Sequence, residues 1–277
     1  MKKLQTLFAA VLCGAIVSTA ASASAQNGQQ GYGSVLRVSG LASYSLGDNN
    51  WHPLLAGKTL PVGSIVRTGD NGVVDVVLGQ SVRMPQAAGQ PTRISTASDF
   101  PVRGLIGYEP SVQQNVVRLT PNTTLGIDKL TVTDTGADTV SDTELNLKQG
   151  RIFASVKKLS GSSQYLIKLP NGIAGVRGTL FSIGADGSVS VFESNGGGVV
   201  LSTVGTDGAP KTFLVSPGQT FDPASGQTSP LSDESIGVLK GVFAALQTSY
   251  FQAVNFSSDY TQSFVSPTLG AHGAHNQ

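Results

Sequence analysis

The chain has 277 residues, 39% of them hydrophobic and only 13% charged, with 34 glycines and a formal net charge of +1. A low-charge, glycine-rich composition of this kind suits an extracytoplasmic β-protein with many turns better than a helical cytosolic enzyme. Taking Lys2 and Lys3 from the 18 basic residues leaves 16 against 17 acidic ones, so a mature chain has no electrostatic case for binding nucleic acid or an anionic membrane.

Residues 1–25 read as a secretory signal peptide. Lys2 and Lys3 begin it, an apolar run follows from Leu4 to Val17, and small residues end it at Ala21, Ala23 and Ala25. Cleavage is expected after Ala25, which places the protein in a periplasm or outside the cell. The apolar run is short for a membrane span. Cys13 lies inside the signal behind Leu12, where lipidation would need a small residue. The mature chain then has no cysteine, and packing and ladder hydrogen bonds must stabilise it.

Beyond a polar lead (26–32), short β-type runs recur every 8–12 residues from Ser34 to Phe221. That spacing argues a sandwich, a barrel or a solenoid. Trp51, the single tryptophan, is expected as a partly buried anchor in the first layer. Lys58–Thr68 and Val73–Leu78 flank the turn Gly69-Asp-Asn-Gly72 and read as a hairpin. Asp75, set among four valines, is expected on the solvent face or paired with Arg67. Residues 79–114 carry Pro85, Pro91, Pro101 and Pro110 and read as an irregular insertion. The polar stretch 134–142 lacks the ligand spacing of a calcium loop.

The central stretch is Leu166 to Ile183, read as strand, turn, strand, with Gly-Val-Arg-Gly-Thr (175–179) where the second strand begins. Gly175 and Gly178 are expected to free the backbone for a sharp turn or a close approach. Arg177, Thr179 and Phe181 are expected to fix that turn and fill a core layer, and Arg177 could meet a ligand only if it is exposed. After Ser232, a good helix N-cap followed by Asp233 and Glu234, the residues Ile236, Leu239, Phe243, Leu246, Tyr250 and Ala253 fall at 3-4-3-4 spacing. They predict one amphipathic helix over 232–255, acting as a cap on the β core or as a self-association surface. Residues 256–277 read as a flexible tail.

No catalytic set is legible. Of the three histidines, His272 and His275 lie in the tail and His52 stands by itself, which leaves little for a triad or a zinc site. There is no Gly-x-Ser-x-Gly elbow and no phosphate loop. A carboxylate pair for glycoside hydrolysis needs no local motif, and Asp99 and Glu109 are the first residues to consider for one. The expectation is no enzyme, no cofactor and no metal.

Several pieces together resemble the FecR domain of bacterial envelope proteins. They are Trp51-His-Pro-Leu54, Leu60-Pro-Val-Gly-Ser-Ile-Val-Arg-Thr-Gly69, Val117-Arg-Leu-Thr-Pro-Asn-Thr-Thr-Leu125, Leu145-Asn-Leu-Lys-Gln-Gly-Arg-Ile152 and Val176-Arg-Gly-Thr-Leu-Phe181. The resemblance covers about residues 33–202. It implies an all-β domain, β-helix or solenoid-like, or else a sandwich, over 33–225, with the C-terminal helix added. It also implies a role in cell-surface signalling or assembly through an envelope protein partner. In its founding members the domain is the periplasmic half of a transmembrane regulator. This chain departs from that plan, having a cleavable signal where those proteins have a cytoplasmic segment and a membrane helix. The expected function is therefore non-enzymatic protein–protein contact, without nucleic acid and without stable membrane insertion. The alternative is an envelope polysaccharide- or peptidoglycan-binding module, for which 6% aromatic residues is a thin supply.

Overall fold

The computed structural model describes residues 28–80, 114–136, 138–204 and 208–258. The expected signal peptide, the tail beyond Ser258, Asp99, Glu109, His272, His275 and nearly all of the 79–114 insertion lie outside the described residues, while residues 256–258, expected in the tail, continue the C-terminal helix. The chain begins with β1 (Gln29–Gln30), β2 (Tyr32–Ser39), β3 (Ala42–Ser45), β4 (His52–Pro53), β5 (Thr59–Pro61), β6 (Ile65–Thr68) and β7 (Val73–Gly79). It continues with β8 (Asn115–Leu119), β9 (Thr124–Asp134), β10 (Thr139–Gln149), β11 (Arg151–Ser155) and β12 (Gln164–Leu169). The last strands are β13 (Gly172–Gly184), β14 (Val189–Val204), β15 (Pro210–Val215), β16 (Gln219–Asp222) and β17 (Gln227–Pro230), followed by α1 (Asp233–Ser258).

The strand pairings form two layers. The first runs β5, β2, β7, β8, β11, the second half of β13, the first half of β14, β16 and β17. The second runs β4, β3, β6, β9, β10, β12, the first half of β13, the second half of β14 and β15, with β1 added to β9. Neither order returns to its start, so the sheet is not closed. Only β10 and β12 pair in parallel among the described strands. The long strands β13 and β14 belong to both layers and change layer together, at register shifts between Arg177 and Thr179 and between Leu180 and Phe181. The protein is thus all-β with one C-terminal helix, as the sequence predicts.

One apolar core lies between the layers. Val74, Val76, Leu119, Ile152, Phe181 and Val191 come from the first, and Ile127, Leu145, Leu147, Ile167, Ala174 and Leu201 from the second. The strand alternation explains this. In β10 every second residue from Ser141 to Leu147 is buried, as a half-buried strand requires.

Two expectations are corrected here. The runs 58–68 and 73–78 do not form a hairpin: β6 pairs with β3 and β9 in the second layer, while β7 pairs with β2 and β8 in the first. The turn itself exists, with Gly72 N–H donating to the Gly69 carbonyl at 2.9 Å, but it carries the chain from one layer to the other. Asp75 is neither on the solvent face nor paired with Arg67; it is fully buried and bound by Arg118. The reason is α1. It covers the outer face of the first layer, so Val77 and Val116 pack there with Leu231, Leu239, Phe243 and Leu246 in a second apolar cluster. Both faces of β7 and β8 are therefore buried. Ser232 caps the helix, its Oγ accepting the Ser235 N–H at 3.2 Å. Ile236, the first residue of the expected stripe, is 37% exposed.

Candidate functional site

The Gly175–Phe181 segment crosses between the layers. Gly178 sits at the crossing, buried, with φ +62°. That left-handed conformation suits glycine and strains a residue with a Cβ. Thr179 is 2% exposed and ties the bend: its Oγ1 donates to the Arg177 carbonyl at 3.1 Å and lies 3.1 Å from Ser194 Oγ. Phe181 is completely buried in the core.

Gly175 differs from Gly178. Its φ is ordinary, and a Cβ built on it would meet only Leu166 Cδ2 at 3.8 Å and the Val200 carbonyl at 3.9 Å, both normal contacts. The fold does not require a glycine there. The missing side chain has a surface consequence instead. Gly175 stands in the cross-strand row Lys129, Glu144, Leu166, Gly175, Val200, Leu214 on the outer face of the second layer. Next to it, Arg177 pairs with Gly198, which also lacks a side chain. The absent side chain at Gly175 leaves an open depression walled by Leu166, Arg177, Val200 and Leu214. Val200 is 45% and Leu214 56% exposed.

The electrostatics of this face are one-sided. The carboxylates nearest in the row are already engaged: Lys168 binds Glu144 at 2.7 Å and Asp128 at 3.2 Å, and Lys129 binds Asp142. The Glu144 contact first, and then Asp128, raise the pKa of Lys168; Asp142 does the same for Lys129. Among the residues lining the depression, Arg177 carries the single charge. Its exposed guanidinium donates from Nη2 to the Gly161 carbonyl at 2.9 Å, which leaves further N–H groups directed at solvent. Beside the depression β15 pairs with β14 only, so it forms an edge of the layer among the described residues. A surface of this type can hold an apolar group and an anionic one side by side.

A second exposed apolar group lies at the opposite edge of the same layer. Trp51 is 37% exposed, with the Arg67 guanidinium 4.2 Å from its ring centre, and Leu41, 74% exposed, lines the same hollow. His52 lies against Tyr44 with ring centres 5.5 Å apart. Among the described residues no group of three or more His, Cys, Asp or Glu side chains could hold a metal ion. No described helix is long and apolar enough to cross a membrane.

The depression was not legible as a site in sequence. In sequence Gly175 and Arg177 point to a backbone turn, whereas Leu166, Val200 and Leu214 carry no signal until the register brings them together. The signal available was Gly175 itself, a glycine two positions before an isolated arginine in a strand of otherwise apolar character.

No curated protein and no solved structure matches the chain. Residues 111–199 match the family model described as FecR protein, a span running from just before β8 into the second half of β14 that includes the layer crossing at Gly178 and the floor of the depression. Over those residues the chain is similar to the FecR protein family.

Proposed function

We propose that this protein is a non-enzymatic regulatory component of the cell envelope that works by binding another polypeptide on the outer face of β12–β15. It acts outside the cytoplasm, after cleavage near Ala25, and serves cell-surface signalling or assembly. The family match supports a signalling-related role. The observation that carries the reading is the open apolar depression beside the β15 edge, with an exposed arginine on its rim and no other charge lining it. Exposed apolar surface next to an unpaired strand edge is a recurrent setting for polypeptide recognition.

The test is affinity capture of the mature chain, 26–277, cross-linked in envelope extracts of its host, with protein and glycan readouts. A protein retained by the native chain and lost with Arg177→Glu and Leu214→Lys supports the reading. Retention of glycan alone overturns it. One observation favours the glycan reading: Trp51, an exposed aromatic on an open sheet face, is the type of surface on which sugars stack. Loss of a retained glycan on Trp51→Ala would assign it to that edge.

A further inference from the structure

The depression has a measurable register, and the register specifies what fits it. Gly175 and Arg177 lie two residues apart on one strand, so they point to the same face. Their separation along the strand is about 6.6 Å. Across the strands Leu166 and Val200 flank Gly175 on either side. At strand spacing they stand about 9.6 Å apart, which is the width left by one absent side chain. The gap over Gly175 thus accepts a single aliphatic side chain, walled by Leu166, Val200 and Leu214. The Arg177 guanidinium accepts an anion one strand repeat further on.

We infer that this face recognises an extended polypeptide segment carrying an aliphatic residue and a carboxylate two positions apart, laid along β13 with the aliphatic side chain over Gly175 and the carboxylate on Arg177. This rests on the contact reading above and specifies its partner. Three observations choose the occupant. An extended strand repeats its side chains on one face at the same spacing as Gly175 and Arg177, so the two partners match without distortion. The charge is complementary, because Arg177 is the single charge lining the depression and the nearby acids Asp142 and Glu144 are held by Lys129 and Lys168. Finally, the glycine at 175 is not needed by the backbone, so the space over it is a property of the surface and not a by-product of a turn.

The experiment is an NMR titration of isotope-labelled mature protein with three synthetic probes. These are acetyl-Thr-Leu-Thr-Glu-Thr-amide, the same peptide with Gln for Glu, and a variant with Leu and Glu adjacent. The first should shift the amide signals of Gly175, Arg177, Val200 and Leu214. It should bind about two- to fivefold more tightly than either of the others, the range of an exposed ion pair. Arg177→Gln should remove the preference for Glu. Gly175→Leu, which the backbone accommodates, should abolish binding while the remaining spectrum stays native. Equal binding of all three probes, or no shift at these four residues, would overturn the inference. Failure of the contact reading is separate: it would appear as loss of protein capture from envelope extracts, which does not depend on the motif in the probes.

Discussion

Asp75 and Arg118 face each other directly across β7 and β8 and are joined by two hydrogen bonds. Arg118 Nε donates to Asp75 Oδ1 at 2.6 Å and Nη2 donates to Oδ2 at 2.7 Å. The pair lies under α1, where Nη1 also donates to the Val242 carbonyl at 3.4 Å and Nη2 lies 3.5 Å from Ser249 Oγ. A single fork thus links two neighbouring strands to the helix that covers them. Removing one partner leaves a buried charge without compensation, which costs about 3–5 kcal/mol. Arg118→Met should therefore shift the urea unfolding midpoint sharply downward. The double variant Asp75→Leu with Arg118→Met should recover most of that loss, because an apolar pair of similar volume is often neutral in such a position.

The two glycines of the crossing segment should separate cleanly. Gly178, at φ +62°, has a conformation that a β-branched residue adopts only under strain, about 1–3 kcal/mol. Gly178→Val should lower the thermal midpoint. Gly175→Ala has ordinary φ and room for its Cβ, and its stability should stay within about 0.5 kcal/mol of the parent. Equal losses at both positions would remove the distinction between a glycine kept by the backbone and one that shapes the surface.

Phe243 anchors the helix. Its ring lies edge-on to Phe153, with centres 6.3 Å apart, and stacked on Phe192 at 5.8 Å. Truncation of a buried aromatic costs about 3–5 kcal/mol, and here the loss falls on the contact between α1 and the first layer. Phe243→Ala should make the helix accessible to limited proteolysis before the β layers unfold, with increased binding of a hydrophobic dye. A native cleavage pattern would show that α1 is held by something other than this cluster.

Thr143 and Ser141 point into the core end of β10, and neither hydroxyl has a hydrogen-bond partner among the described residues. A buried hydroxyl without a partner carries its desolvation cost, whereas a methyl in its place does not. Thr143→Val should raise stability by about 1 kcal/mol, read from the denaturation midpoint. A decrease would show that a water molecule in the small cavity lined by Ser141, Thr143 and Gln114 satisfies these groups.

Much of this was legible where the information is local. Strand recurrence, the cap at Ser232 and the helical stripe through Leu239, Phe243 and Leu246 follow from side-chain periodicity, and the structure repeats them. Pairing was less legible. The turn at Gly69–Gly72 has hairpin chemistry, yet turn chemistry reports only that the chain reverses and not which layer the next strand joins. The burial of Asp75 is hidden from the local sequence for the same reason. Its partner Arg118 is 43 residues away, and the helix that buries both begins more than a hundred residues further on. Gly175 and Gly178 look alike in sequence, and only the backbone dihedral separates them. The depression needs four strands in register, from β12 to β15, and none of its walls marks itself as surface when read along the chain.

The face around Gly175 and Arg177 is proposed to touch another polypeptide. The most direct measurement places a photoreactive amino acid at position 214, in the wall of the depression, and another at position 228, on the exposed β17 edge of the other layer, in the protein expressed in its host. Irradiation should give one discrete protein adduct from position 214, none of that size from position 228, and loss of the adduct when Arg177→Glu is added. Adducts of equal yield from both positions, or an adduct from 214 that survives Arg177→Glu, would contradict it.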